Sequence, residues 1–106
     1  MIQGNFYFKL TENGNLIGEF INNGTKEFNV ECANKDGNEN INFVGKFIST
    51  WLEEENVFTS KLTITNDEDK KGYYKLVWIS NGKKTFYGNG FVTDNILYGD
   101  YSSSYE

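Results

Sequence analysis

Along the first third of the chain, apolar and polar residues alternate with a period of two. Phe6, Phe8 and Leu10 are separated by Tyr7 and Lys9, and Phe28, Val30 and Cys32 by Asn29 and Glu31. Strict alternation of this kind marks a strand with one buried face. Extended along the chain, the pattern predicts strands at about 5–11, 15–22, 25–32, 41–51, 57–65, 73–80, 84–92 and 96–102. Turn signals separate them. Asn-Gly favours a two-residue hairpin, because both central residues of a type I′ turn need positive φ, and it occurs at Asn13-Gly14, Asn23-Gly24 and Asn81-Gly82. Asp36-Gly37, the acidic run from Glu53 to Asn56, the stretch from Asn66 to Lys71 and Thr93 to Asn95 supply the other breaks.

Gly-x-aromatic recurs every 27 residues, at Gly18, Gly45, Gly72 and Gly99. A fixed period near this length marks one supersecondary unit used repeatedly, and here the unit is two strands. Eight strands with short connections predict an all-β fold: an eight-stranded antiparallel up-and-down (meander) barrel, one domain over residues 1–106, in which closure would remove the exposed edges and the pairing of the first strand with the last rests on the strand count alone. Gly18, Gly45, Gly88, Gly90 and Gly99 fall inside strands, where glycine marks the bends of a barrel wall.

Two-residue turns also fix which residues face one another. With Asn13-Gly14 and Asn23-Gly24 as loops, the buried face of the first three strands is Phe6, Phe8, Leu10, Ile17, Ile21, Phe28, Val30 and Cys32, with Glu19 in its middle. Lys9, Glu27, Asn29 and Glu31 then face outward. The fourth and fifth strands offer Ile41, Phe43, Phe47, Trp51 and Phe58, Leu62, Ile64 as inward sets. The last three strands are apolar on both faces. One face holds Tyr74, Leu76, Trp78, Tyr87, Phe91, Ile96 and Tyr98; the other holds Tyr73, Val77, Ile79, Phe86, Val92, Leu97 and Tyr101. A half-exposed antiparallel sheet alternates cleanly, so this region is expected to bury its outer face too, beneath the tail, a second copy or another protein.

Composition narrows the function classes. With 10 Lys and Arg against 15 Asp and Glu, the net charge of −5 argues against a nucleic-acid partner. Phe, Tyr and Trp make up 17% of the chain, enough for a core without metal or disulfides in a domain that buries roughly 65% of its unfolded surface. The single Cys32 excludes an internal disulfide and fits a cytoplasmic protein, the alternative being an export signal that once stood before Met1. No apolar run reaches the roughly 20 residues of a membrane-spanning helix.

Histidine is absent, so the commonest general base near neutral pH is missing, and the chain reads as no enzyme. Glu19 between Phe8 and Phe28 is the candidate acid, since apolar surroundings raise a carboxyl pKa. Its alternative is a bulge or a slip of register that turns it outward. Glu53-Glu54-Glu55 and Asp67-Glu68-Asp69 carry oxygen ligands but lack the spacing of a calcium loop, so no metal and no cofactor is expected. Tyr74, Trp78, Tyr87, Phe91 and Tyr98, with Glu19, form the candidate ligand- or partner-binding set; core and barrel rim are the plain alternative.

Gly4-Asn5-Phe6-Tyr7, then Asn13-Gly14-x-Leu16-x-Gly18-x-Phe20, resembles the opening of the avidin-like and lipocalin-like barrels, the calycin group. Tyr74-x-Leu76-x-Trp78 followed by Gly88-Asn89-Gly90 is similar to the same group. The resemblance implies a meander barrel and binding of a small molecule. Only Trp51 and Trp78 are present to wall a pocket, and Phe6 stands where a lipocalin has Trp, so no binding residue is carried over. The expected function is a small non-catalytic binding module with an apolar ligand in the barrel. The alternative is a protein-interaction module (inhibitor, immunity protein or adaptor) or a homodimer through the aromatic C-terminal sheet.

Overall fold

The computed structural model describes residues 1–25 and 27–104. It contains eight strands: β1 Gln3–Leu10, β2 Leu16–Asn22, β3 Asn29–Lys35, β4 Gly45–Glu53, β5 Asn56–Asn66, β6 Tyr73–Ser80, β7 Lys83–Thr93 and β8 Ile96–Ser102. Each pairs antiparallel with the next, and β8 returns to β1 through Gln3↔Ser102 to Lys9↔Ile96, so the up-and-down barrel is closed. Among the described residues no helix is long and apolar enough to cross a membrane. The repeated glycines fall in β2, at the start of β4, just before β6 and in β8, one per hairpin.

Three hairpins close through two-residue turns. Glu54-Glu55, Asn81-Gly82 and Asp94-Asn95 all hold positive φ at both central positions, giving Glu53↔Asn56, Ser80↔Lys83 and Thr93↔Ile96. The first two hairpins differ from expectation. Leu10 pairs with Leu16, not Ile17, across a loop in which Thr11 N–H donates to Asn15 O at 2.8 Å. At the second, the Asn22 side chain accepts from Gly24 N–H at 2.8 Å, and the chain rejoins the sheet only at Asn29.

A one-residue slip moves every side chain of a strand to the other face. Ile17, Ile21, Phe28, Val30 and Cys32 therefore stand outside, with Ile17 45% and Phe28 56% exposed, while Leu16, Phe20 and Ala33 are buried. Glu19 turns outward and Glu31, expected outside, turns in at 5% exposure. Ile41 and Phe58 are also exposed, whereas Phe43, Phe47, Leu62 and Ile64 are buried as expected.

A second shift of register sits between Trp78 and Ile79, where a bulge makes Trp78 face Phe86 instead of Thr85. Thr85 Oγ1 donates to Trp78 O at 3.2 Å across it. Phe86, Gly88 and Gly90 thus join Tyr74, Leu76 and Trp78 inside, and Tyr87, Phe91 and Tyr98 face out. The core runs from Phe8, Leu16, Phe47, Leu62, Ile64, Leu76 and Leu97 to Trp78 and Tyr101. Phe43, in the β3–β4 connection, is drawn into it by a tight turn held by Asn40, whose Nδ2 donates to Lys46 O at 2.8 Å. Gly45 follows with φ 146°, in the region that disfavours any side chain.

Candidate functional site: the open end of the barrel and the aromatic row outside it

The end framed by the β2–β3, β4–β5 and β6–β7 connections opens into a pocket lined by Phe6, Phe20, Asn22, Glu31, Trp51, Glu53, Trp78, Phe86 and Tyr101. Each is the inward residue of its strand. Across β3, β4 and β5 the small residues Ala33, Ser49 and Ser60 lie directly opposite one another and are all buried, so this side of the wall leaves width for large rings. Tyr101 lies at the hub, with ring centroids 5.6 Å from Phe86, 5.9 Å from Trp78, 6.3 Å from Phe20 and 6.4 Å from Phe6. Trp51 meets Phe20 edge-on at 6.4 Å and stacks on Phe58 at 5.9 Å.

The polar groups of the pocket are ordered in donor–acceptor pairs. Trp78 Nε1–H donates to Glu31 Oε2 at 2.9 Å, and the Ser49 hydroxyl donates to the same oxygen. Trp51 Nε1–H donates to Glu53 Oε1 at 3.1 Å, and Asn22 Nδ2–H to the Tyr101 hydroxyl at 2.9 Å. Burial pushes the Glu31 carboxyl above its ordinary range, against the two hydrogen bonds from Ser49 and Trp78 that favour the anion. Burial likewise pushes the Tyr101 phenol up to about 12, opposed by Asn22 and reinforced by the negative charge of Glu31 and Glu53. The pocket encloses about 340 Å³ of non-atom space, open solvent included, of which only about 20 Å³ admits the centre of a water-sized group. That is room for one water-sized group. Ser49 is fully buried, so its hydroxyl orients Glu31 and is not accessible as a nucleophile.

Outside the barrel a second cluster crosses four strands. Tyr73, Phe91, Tyr98 and Tyr7 are directly opposed in sequence across β6, β7, β8 and β1, with ring centroids 6.0, 6.1 and 6.4 Å apart. Tyr73, Phe91 and Tyr98 are 45%, 43% and 38% exposed. The Tyr7 hydroxyl donates to Glu19, its partner on β2, and this hydrogen bond raises the phenol pKa, with smaller contributions from burial and from the charge of Glu19. Lys70 Nζ lies 5.6 Å from the centre of the Tyr73 ring. Beside the row run two external grooves of about 1100 and 1020 Å³ of non-atom space, open solvent included, between which Asn5, Asn89 and Asp100 are shared.

The six residues singled out from the sequence are therefore divided. Trp78 lines the open end, and Tyr74 packs half-buried against the core. Phe91, Tyr98 and Glu19 belong to the outer row, while Tyr87 faces Val77 on the same outer surface. Glu31, Trp51, Phe86 and Tyr101 were not foreseen as a site. Gly88-Asn89-Gly90 carries the signal that could have found them: both glycines face inward, where a Cβ on Gly88 would lie 3.1 Å from the Trp78 ring. Among the described residues no three Cys, Asp or Glu side chains converge as metal ligands. No protein-family model, no curated protein and no solved structure gives a significant match to the chain.

Proposed function

We propose that the protein is a non-catalytic binding module whose site is the open end of the barrel, where it takes a small molecule. The observation that carries this reading is the buried Glu31 in the lining of a pocket walled by aromatic rings and open to solvent. Small-ligand sites combine apolar walls with a few polar groups that fix orientation. Interior side chains fill the rest of the barrel, so the ligand sits in the mouth and sends only its tip inward. Both tryptophans of the chain line this pocket, which makes indole emission a reporter of occupancy. A screen of small amphiphilic molecules followed by tryptophan fluorescence is expected to give saturable changes that Trp78→Phe diminishes. A library that leaves both the emission and the melting temperature unmoved would overturn the reading.

A second reading rests on the outer row. Half-exposed aromatic rings crossing four strands fit the anchor residues of protein interfaces, and a protein partner or a second copy of the chain would cover them. Phe91→Ala is the variant that tests it, by loss of a concentration-dependent mass or of a partner already in hand.

A further inference from the structure

We infer that the ligand of the open end is an organic cation, seated by a primary ammonium group on Glu31 with its body among the surrounding rings. The inference rests on the small-molecule reading above and names the ligand's chemistry. Its first support is the imbalance of donors and acceptors in the pocket. The two indole N–H groups and the Ser49 hydroxyl are engaged with Glu31 and Glu53, and an Asn22 N–H with Tyr101. Both hydrogen bonds to Glu31 end on Oε2, so neither engages Oε1. What the described lining presents to a ligand is carboxylate oxygen, ring faces and the Tyr101 hydroxyl, which accepts from Asn22 and can still donate. An ammonium group is the complement: three donors and no acceptor.

Charge points the same way. Among the described lining residues the charged side chains are Glu31 and Glu53, with no Lys or Arg. Ring faces carry the negative part of the aromatic quadrupole and attract cations within about 6 Å. The hairpins that frame the same opening carry Glu54-Glu55 and Lys83-Lys84, and neither pair is part of the lining. Among the described lining residues an anionic ligand would meet only like charge. A neutral apolar one would cover the Glu31 carboxylate oxygen without giving it a donor, which is costly.

Size selects among cations. The pocket as a whole has about 20 Å³ of room for the centre of a water-sized group, which suits –NH₃⁺ better than a trimethylated head. Trp51 and Phe86, only half-buried at the rim, are placed to cover an aryl or alkyl body.

The test uses the whole protein and three probes of one shape: 2-phenylethylammonium, its neutral counterpart 2-phenylethanol, and the N,N,N-trimethyl derivative of the amine. Binding is followed by tryptophan emission and by calorimetry. The primary ammonium is expected to bind roughly tenfold or more tightly than the alcohol, as a hydrogen bond to a charged group allows, and more tightly than the trimethyl derivative. Glu31→Gln is expected to remove that preference while keeping the acceptor for Trp78 and Ser49, with circular dichroism confirming the fold. Alcohol binding equal to that of the amine, or an unchanged preference in Glu31→Gln, would overturn the cation while leaving a small-molecule site in place. Equal binding of the trimethyl derivative would overturn the primary-amine assignment. If none of the three binds, the cation assignment falls; the broader screen above then decides whether the mouth binds small molecules at all.

Discussion

The open end of the barrel and the row outside it are built from similar parts, aromatic rings beside a carboxylate that accepts from an aromatic donor. At the open end the pair is Glu31 with Trp78; on the wall it is Glu19 with Tyr7. Their surroundings separate them. Glu31 is buried among rings whose donors are engaged, so its charge is held at a cost that a cation would relieve. Glu19 stands half-exposed on the outer surface, where water shares the task. Burial, rather than the residue types, sets one arrangement inside an aromatic pocket and leaves the other a surface feature.

The largest effect that can test this contrast comes from truncating one ring in each region. Trp78→Ala removes a buried ring and strips Glu31 of a donor, and is expected to cost about 3–5 kcal/mol in urea unfolding. Phe91→Ala, which loses cross-strand contacts to Tyr73 and Tyr98, is expected to cost about 1 kcal/mol or less. Equal costs would mean that the outer row is as much a part of the core as the inner rings.

Glu31→Gln sharpens the electrostatic side. The folded-state pKa of Glu31 lies above its ordinary value, so between the two values the native state binds more protons than the unfolded one. Stability then falls as pH rises through that window, and the loss is complete above the folded pKa. Glu31→Gln is expected to flatten this fall and to be more stable than the parent at neutral pH, as read from denaturant midpoints at pH 4 and pH 7.5. A variant less stable at both values would show that the carboxylate form is structurally required.

A smaller effect distinguishes the rim from the closed end. Glu54 and Glu55 hold φ of 48° and 70°, which neither residue favours, whereas Asp94-Asn95 occupies the same kind of turn with residues that tolerate it. Glu54→Asn combined with Glu55→Gly is expected to stabilise the fold by roughly 1–2 kcal/mol, measured by thermal unfolding. The smallest effect concerns the wall. Glu19→Gln is expected to lower the Tyr7 phenol pKa toward its ordinary value, because the carboxylate that raises it is gone; ultraviolet titration of the tyrosines follows it. Stability is expected to change by less than about 0.5 kcal/mol, as for most surface substitutions.

The number, order and antiparallel pairing of the strands were legible because the turns speak locally. Asn81-Gly82 and Asp94-Asn95 each predicted their own closing pair. The candidate site was not legible, for two reasons of register. Asn13-Gly14 has the signature of a two-residue turn yet lies within a longer loop, because Thr11 and Asn15 close a wider ring of hydrogen bonds around it. That single step exchanged Glu19 for Glu31. The bulge at Trp78 and Ile79 has no signature in composition, and it sent Phe86 to the open end and Tyr87 and Phe91 to the wall. The calycin resemblance stands as a resemblance; the barrel class itself is what the strands show.

That bulge bears on how the chain finds its fold. Phe86 and Val92 lie on one phase of β7, Tyr87 and Phe91 on the other, so the β6–β7 hairpin by itself has two apolar faces of comparable worth. Locally its sequence is ambivalent. The barrel resolves the ambiguity, because the inward seats at Gly88 and Gly90 have no space: a Cβ on Gly90 would lie 2.5 Å from Tyr98 O. Tyr87, Asn89 and Phe91 in those seats would overfill the interior. The correct phase of this hairpin is thus decided by its neighbours on closure and not by its own turn. Excised as a peptide, the hairpin is expected to populate both registers, which cross-strand NMR contacts would show.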